Sequence, residues 1–277
     1  MKIKVDYHFH PNLPLFLPFF KAYLSNKRAR AIWNEFTKHK LDAVLISEHA
    51  YKNPRKTFEI LEKNKPKNAK TQIIPAIEVL TKESTDVIVF AKNKKDIYYY
   101  PELLTPRGLS MKELVSLINK DPLLYGIVVH PYTPGATSIV FNNGMKETKR
   151  TIKKLGFIEG YNCSFTALIK LINFLKLNNI IKGRYERAVK TAITPDKLKK
   201  EAKVITGGSD AHHPWEIGDC MEITIVKGKD LFKAVTRGSG KMIILDKKIR
   251  TLIRNFFTVS REWLMKKTHL YTIDKPL

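Results

Sequence analysis

Cysteine is nearly absent from this chain. Cys163 and Cys220 are the two present among 277 residues, and they do not form a C-x-x-C pair. That excludes a thiolate zinc cluster and argues against a disulfide scaffold; both read as small buried apolar residues, with Cys163 close to a strand end. Long apolar runs are missing too, and none approaches the ~18 residues that span a bilayer. The opening residues lead straight into a strand rather than a signal peptide, so the chain reads as a soluble cytoplasmic protein. No G-x-S-x-G nucleophile turn, Walker loop or G-x-G-x-x-G is present, and Gly207-Gly208 is too short for a phosphate loop and reads as a tight strand end. Acidic residues are scarce, with 26 Asp and Glu against 50 Lys and Arg and a net charge of +24. Such a field attracts anions and favours nucleic acid or phosphorylated partners. A solvated Lys-rich surface is the competing account, but Glu is not enriched to match.

Histidine stands out among what is present. Six of the eight histidines fall in four short segments: Asp6 to His10, Ser47 to His49, His130-Pro131 and Ser209 to Pro214. Each follows an apolar run that reads as a strand, and Pro75 to Val79 adds the buried-looking carboxylate of Glu78. Neutral imidazole and carboxylate suit zinc, manganese and iron. Strict alternation along the first strand puts Asp6, His8 and His10 on one face and Val5, Tyr7 and Phe9 on the other. His-x-His, a single Glu or His-Pro is weak alone. Together they occupy the C-terminal ends of different strands, where β/α barrels build active sites.

Strand-like and helix-like stretches alternate along the chain. Strands are expected at Ile3 to Tyr7, Ala43 to Ile46, Ile73 to Val79, Val87 to Phe90, Ile127 to Val129, Phe157 to Tyr161 and Val204 to Thr206. Helices are expected over Ala31 to Lys40, over Met111 to Lys120 behind a Ser110 cap with Glu113 at its capping-box position, and after Thr194-Pro195-Asp196. The alternation implies parallel strands joined by helical crossovers. Two further strands, Glu222 to Val226 and Lys241 to Leu245, flank a short helix, and a basic amphipathic helix is expected over Lys248 to Lys267. There is no repeat, low-complexity tract or clear linker. Lys92 to Pro106, with Tyr98, Tyr99 and Tyr100, admits two readings: a lid, or a surface loop packed by its tyrosines.

On these motifs the chain resembles the PHP (polymerase and histidinol phosphatase) domain family. His8 and His10 match its His-x-His, Ser47-Glu48-His49 its Thr-Asp-His, Glu78 its bridging glutamate, His130 a later histidine and Ser209-Asp210-Ala211-His212 its last motif. The resemblance implies a distorted seven-stranded (β/α) barrel over residues 1–245, with C-terminal strand and helix additions and residues 246–277 packed on the same domain. It also implies that His8, His10, Glu78 and Asp210 hold one metal, His49 and His212 a second, and Glu78 with His130 a third or a share of the second. Catalysis would turn on Glu78, Asp210 and His212. Family members often carry another histidine where this chain has Pro11 to Pro18, and one in the fourth strand where Ile88 stands. The expectation is therefore two divalent ions, any third being weakly held and completed by water.

Glu48 would orient a ligating imidazole. Asn162 would help polarise the site or simply form a turn, and Glu159 carries a weaker claim. His213 has no family counterpart and reads as solvent-facing or loop-capping. Lys52, Arg55 and Arg107, with Arg184 or Arg187, are candidate phosphate contacts, each with an ordinary surface charge as its other reading. Two metals ~3.5–4 Å apart suit phosphoester hydrolysis. The substrate stays open between single-stranded DNA or RNA, for which clusters at Lys146–Lys154, Lys197–Lys203 and Lys247–Arg254 would follow a backbone, and a small molecule resembling histidinol phosphate. A metal-free RNA-binding scaffold of ribonuclease P type and a detached polymerase-associated domain are the alternatives.

Overall fold

Aliphatic runs bounded by turn residues become strands, and the amphipathic stretches between them become helices that cover the outer face. The computed structural model describes residues 1–13, 21–134, 137–224 and 230–245, with Ile253 and Phe257. The described strands are β1 (Lys2–Phe9), β2 (Ala43–Ile46), β3 (Gln72–Leu80), β4 (Asp86–Ala91), β5 (Leu124–Val128), β6 (Phe157–Asn162), β7 (Val204–Gly208), β8 (Cys220–Thr224) and β9 (Lys241–Ile243). The helices are α1 (Lys21–Lys38), α2 (Pro54–Lys63), α3 (Pro101–Leu104), α4 (Met111–Lys120), α5 (Ile139–Leu155), α6 (Cys163–Phe174), α7 (Lys182–Ala192), α8 (Asp196–Lys199) and α9 (Leu231–Val235). One sheet runs β7-β6-β5-β4-β3-β2-β1-β8-β9. Its first seven strands lie in chain order, as the barrel expectation requires, and β8 and β9 are the C-terminal additions.

The sheet nearly closes where β7 returns to β1. Asp210 N donates to His8 O at 2.7 Å and His10 N to Ala211 O at 2.9 Å. The Asp6 carboxylate accepts from Ser209 N at 2.9 Å and Ser209 Oγ at 2.6 Å. A Cβ at Gly208 would fall 2.4 Å from His8 Cβ and 2.7 Å from His8 N. Glycine is required there because two backbones approach closely.

Two apolar layers follow. Ile3, Val5, Tyr7, Leu45, Ile74, Ile88, Phe90, Ile127, Phe157 and Val204 form the interior cluster, with Phe232 and Val235 of α9. Trp33 and Phe36 of α1, Leu61 of α2, Leu114 and Ile118 of α4 and Ile152 of α5 pack on the opposite strand faces.

Parallel pairing does not hold throughout. β4 is antiparallel to both β3 and β5. Only Thr81–Thr85 separate β3 from β4, and a parallel crossover needs about a dozen residues or more. Hence β4 starts at the barrel mouth with Asp86, and the 92–106 segment leaves from the opposite end. That segment is packed: Ile97, Tyr98 and Leu103 are buried, and Tyr100 Oη donates to Asp121 at 2.5 Å. The tyrosine-packed surface loop is the reading that fits.

Ser110 and Glu113 form the expected capping box on α4. Pro195 precedes only one helical turn, at the cap rather than the first helical position. The helix expected over 248–267 lies outside the described residues except at Ile253 and Phe257, as do the Lys247–Arg254 cluster and residues 14–18. No described helix is long and apolar enough to cross a membrane.

Candidate metal centre

The first strand does not alternate strictly. Ile3, Val5 and Tyr7 belong to the interior cluster and Phe9 to the outer one, because the β1–β2 register shifts between Asp6 and Phe9. With this shift the His8 and His10 rings lie in the mouth, while the Asp6 carboxylate turns to the β7 seam and accepts from Ser209 and from His8 N at 3.1 Å. Bulges commonly re-aim side chains beside functional sites.

All seven candidate ligands meet at the mouth and are buried: His8, His10, His49, Glu78, His130, Asp210 and His212. They form three overlapping groups whose ligand atoms lie within 4.8 Å of one another: His10–His49–His212, His8–Glu78–His130 and His8–His10–Asp210. His8 Nε2 is 2.9 Å from His10 Nε2 and 3.4 Å from Asp210 Oδ1. Glu78 Oε1 is 3.0 Å from His130 Nε2, while its Oε2 abuts His49 Nδ1 and lies 3.9 Å from His10 Nε2. With His8 Nε2 3.7 Å from Oε1, one carboxylate thus reaches four histidines with two oxygens. His130 (φ 26°) and Asp210 (φ 46°) hold left-handed backbone, a strain that clusters at functional sites.

The surrounding hydrogen bonds decide which ring nitrogens face inward. His8 Nδ1 donates to Glu159 Oε1 at 2.8 Å. Thr133 Oγ1 donates to His130 O at 2.6 Å and so accepts from His130 Nδ1 at 2.7 Å. His212 Nδ1 donates to the Asp210 carbonyl at 3.0 Å. With Nδ1 committed, the Nε2 lone pairs of His8 and His130 point at another imidazole nitrogen and at carboxylate oxygens. A cation or a proton must sit among them. The donors are imidazole nitrogens and carboxylate oxygens without thiolate, a set that fits zinc, manganese or iron, and the backing of each imidazole is the arrangement usual behind metal-bound histidines.

The electrostatics agree. Burial disfavours a charged His8, but Asp210, Glu159 and Glu78 outweigh it and push the imidazole up to about 10. Burial likewise opposes the Asp210 carboxylate, yet His8, His10 and His212 hold it well below the usual range. Burial alone dominates at Asp6, raising its carboxyl to about 7 despite the bonds from Ser209. Without metal, protons are thus held in the centre.

Glu159, whose claim from sequence was the weaker one, backs the centre at several points. Besides His8 it accepts from His130 N at 2.7 Å and Asn162 Nδ2 at 3.2 Å. Asn162 also donates to Asp210 Oδ2 at 3.0 Å and caps α6 through Phe165 N, so it orients two carboxylates. The carboxylate of Glu48 accepts from Asn12 N at 2.6 Å and His49 N at 3.2 Å, but lies 3.8 Å from His10 Nδ1. It acts on that imidazole through charge rather than a hydrogen bond. Glu216 accepts from His212 N at 2.7 Å and His213 N at 3.0 Å, a capping arrangement that leaves His213 outside the ligand groups. Asp86, brought to the mouth by the reversal of β4, lies 3.9 Å from His130 Nε2; Ile88, opposite Glu78, is interior core.

The predicted cations separate. Lys52 donates to Asn12 at 3.1 Å near the mouth. Arg187 donates to Thr133 O at 2.8 Å. Arg55 pairs with Glu59 on the exposed side of α2. Arg107 bonds Ser84 in the β3–β4 turn at 2.6 Å. Arg28, not anticipated, donates to Pro11 O at 2.9 Å and His212 O at 2.5 Å, joining α1 to two ligand-bearing loops. The Cys163 and Cys220 side chains are both buried.

A nearly closed barrel with strand-end histidines and carboxylates at its mouth is the arrangement that the PHP resemblance implies. A family profile described as PHP-associated matches residues 198–239, the stretch that carries Asp210 and His212. Among solved structures the chain is similar to PsfC from Pseudomonas syringae PB-5123, at 16% identity, 95% coverage of this chain and 99% of that one, and a TM-score of 0.63. It is also similar to the lesion-specific endonuclease PfuEndoQ from Pyrococcus furiosus, at 16% identity and a TM-score of 0.50, covering 89% of this chain and 60% of that one. At such identity these likenesses are of fold. No curated protein matches by sequence. In fold, and over the stretch matched by that profile, the chain is similar to PHP-domain proteins.

Proposed function

We propose that the chain is a metal-dependent phosphoester hydrolase acting on nucleic-acid phosphodiesters. The observation that supports it is the convergence of the His8 and His130 Nε2 atoms, each backed at Nδ1, on Glu78 and Asp210, with His10, His49 and His212 grouped beside them. In this reading His8, His10, Glu78 and Asp210 hold one ion and His49 and His212, with Glu78 and His130, another. When bound, divalent ions supply a hydroxide near neutral pH and neutralise charge on the phosphoryl oxygens. Glu159, Thr133 and the Asp210 carbonyl keep the His8, His130 and His212 imidazoles in ligating tautomers, Asn162 holds the Asp210 carboxylate, and Lys52 offers a cation to the substrate phosphate. Burial of the ligand side chains strengthens these interactions.

The net charge of +24 favours a polyanionic substrate over a small one, and phosphodiester cleavage is built on this fold in the similar endonuclease. A metal-free RNA-binding scaffold has no use for such a ligand set. The test is elemental analysis of the purified protein, followed by hydrolysis of single-stranded DNA, RNA and sugar phosphates. Two transition-metal ions per chain and diester cleavage are expected. No bound metal would sink the catalytic reading. Turnover of sugar phosphates alone would move the substrate to a small phosphomonoester.

A further inference from the structure

The metal centre leaves unused an aromatic and cationic surface beside His130. Phe141, in the first turn of α5, is 70% exposed. That turn is locked to the His130 segment: Ser138 Oγ donates to Pro131 O at 2.6 Å and Val140 N to the same carbonyl at 3.2 Å. The Arg187 guanidinium lies 4.5 Å from the Phe141 ring centroid and donates to the carbonyl of Thr133, whose hydroxyl accepts from His130. Lys190, one helical turn further along α7, places Nζ 5.8 Å from the Tyr132 ring centroid. Between Lys182 and Ala192, α7 carries Lys182, Arg184, Arg187 and Lys190 against the single carboxylate of Glu186. A second pair borders the cluster on the β7 side, where the half-exposed Trp215 stacks on His213 at 4.3 Å.

An exposed ring steadied by a guanidinium, beside a helix rich in cations, matches a ligand with a flat aromatic part and phosphates. An apolar protein surface has no use for four cations, and a sugar ring carries no charge to meet them. Single-strand binders combine these same two elements, base-stacking rings and a basic track.

We propose that Phe141, held by Arg187, is the stacking platform for an unpaired nucleobase adjoining the phosphate at the metal centre, with Arg187 and Lys190 meeting the flanking phosphates. This deepens the hydrolase reading and rests on it. The test is fluorescence anisotropy of a labelled single-stranded DNA oligonucleotide on the full-length, chelator-stripped protein at one fixed ionic strength, with unlabelled duplex and a mononucleotide as competitors. Phe141→Ala should weaken single-strand binding about 5- to 150-fold, the equivalent of the roughly 1–3 kcal/mol that one stacked base contributes. Phe141→Trp should restore it, and Arg187→Ala should weaken it as well. The melting temperature and metal content of Phe141→Ala should match wild type, because the ring is exposed.

Equal sensitivity of mononucleotide binding to Phe141→Ala would support the platform with a free nucleotide as its source. Wild-type affinity in Phe141→Ala would overturn the platform while metal content and diester hydrolysis still test the parent reading. Failure of the wild-type protein to bind strand or mononucleotide would overturn it too.

Discussion

Glu159→Gln removes one charge from the centre and almost no volume, so its effect comes from charge and hydrogen bonding rather than packing. The carboxylate accepts from three donors: His8 Nδ1 at 2.8 Å on Oε1, His130 N at 2.7 Å and Asn162 Nδ2 at 3.2 Å on Oε2. A glutamine amide cannot satisfy all three. With NH2 toward His8 it favours the tautomer that carries hydrogen on Nε2, and the ligating lone pair is lost. With NH2 toward His130 it orphans a buried backbone N–H, at about 1–3 kcal/mol. Loss of a carboxylate behind a metal-bound histidine typically lowers metal affinity 10–100-fold, about 1.4–2.7 kcal/mol. In a chain of this size each kcal/mol moves the melting temperature by ~2–4 °C, so the metal-free variant should melt roughly 2–12 °C lower. Chelator-competition titration with zinc or manganese, beside calorimetric melting of stripped protein, reads both effects. Wild-type affinity together with a wild-type melting temperature would refute the assignment of Glu159 as the group that orients His8.

Asp210→Ala and His8→Ala should each cut phosphoester hydrolysis by orders of magnitude with far-ultraviolet dichroism intact; undiminished turnover in either would show the site misplaced. Gly208→Ala should destabilise the metal-free protein by about 1–3 kcal/mol or more, since its Cβ meets His8 backbone at 2.7 Å; an unshifted urea midpoint would contradict the close β1–β7 approach. The pH dependence has a sign. His8 is raised from 6.5 to about 10, so its contribution to stability is full below pH 6.5 and fades as pH rises towards 10. Asp6, raised from 3.8 to about 7, adds a decline between those values, whereas the stability from the depressed Asp210 is present above pH 3.8 and lost on further acidification. The melting temperature of stripped protein should therefore fall from pH 6.5 to 10 and rise again on metal addition; a rise with pH in the stripped protein would contradict the buried His8 cation.

The candidate ligands were legible because strand-end position is a local property. His49, Glu78, His130 and Asp210 each follow an apolar run, and such runs mark strands wherever the chain goes. The capping box of Ser110 and the tight strand end at Gly207-Gly208 were legible for the same reason. Even the reversal of β4 had a local sign in the short Thr81–Thr85 connection, although the alternation of strands and helices pointed to parallel pairing.

What the chain determines by itself is the inventory: which side chains lie at strand mouths, which classes of chemistry lack their residues, and how strongly cationic the surface is. Tertiary structure alone decided the partnerships. Glu159 meets His8 across 151 positions and Asp6 meets Ser209 across 203, and no periodicity encodes such a pair. With the register shift in β1, His8 and His10 lie in the mouth and the Asp6 carboxylate at the seam, against strict alternation. Arg55 and Arg107 were taken by Glu59 and Ser84, while Arg28 and Arg187 reached the ligand-bearing loops. Burial can be read from a pattern of apolar residues, but a hydrogen bond requires a particular neighbour at about 3 Å, and only barrel closure supplies it.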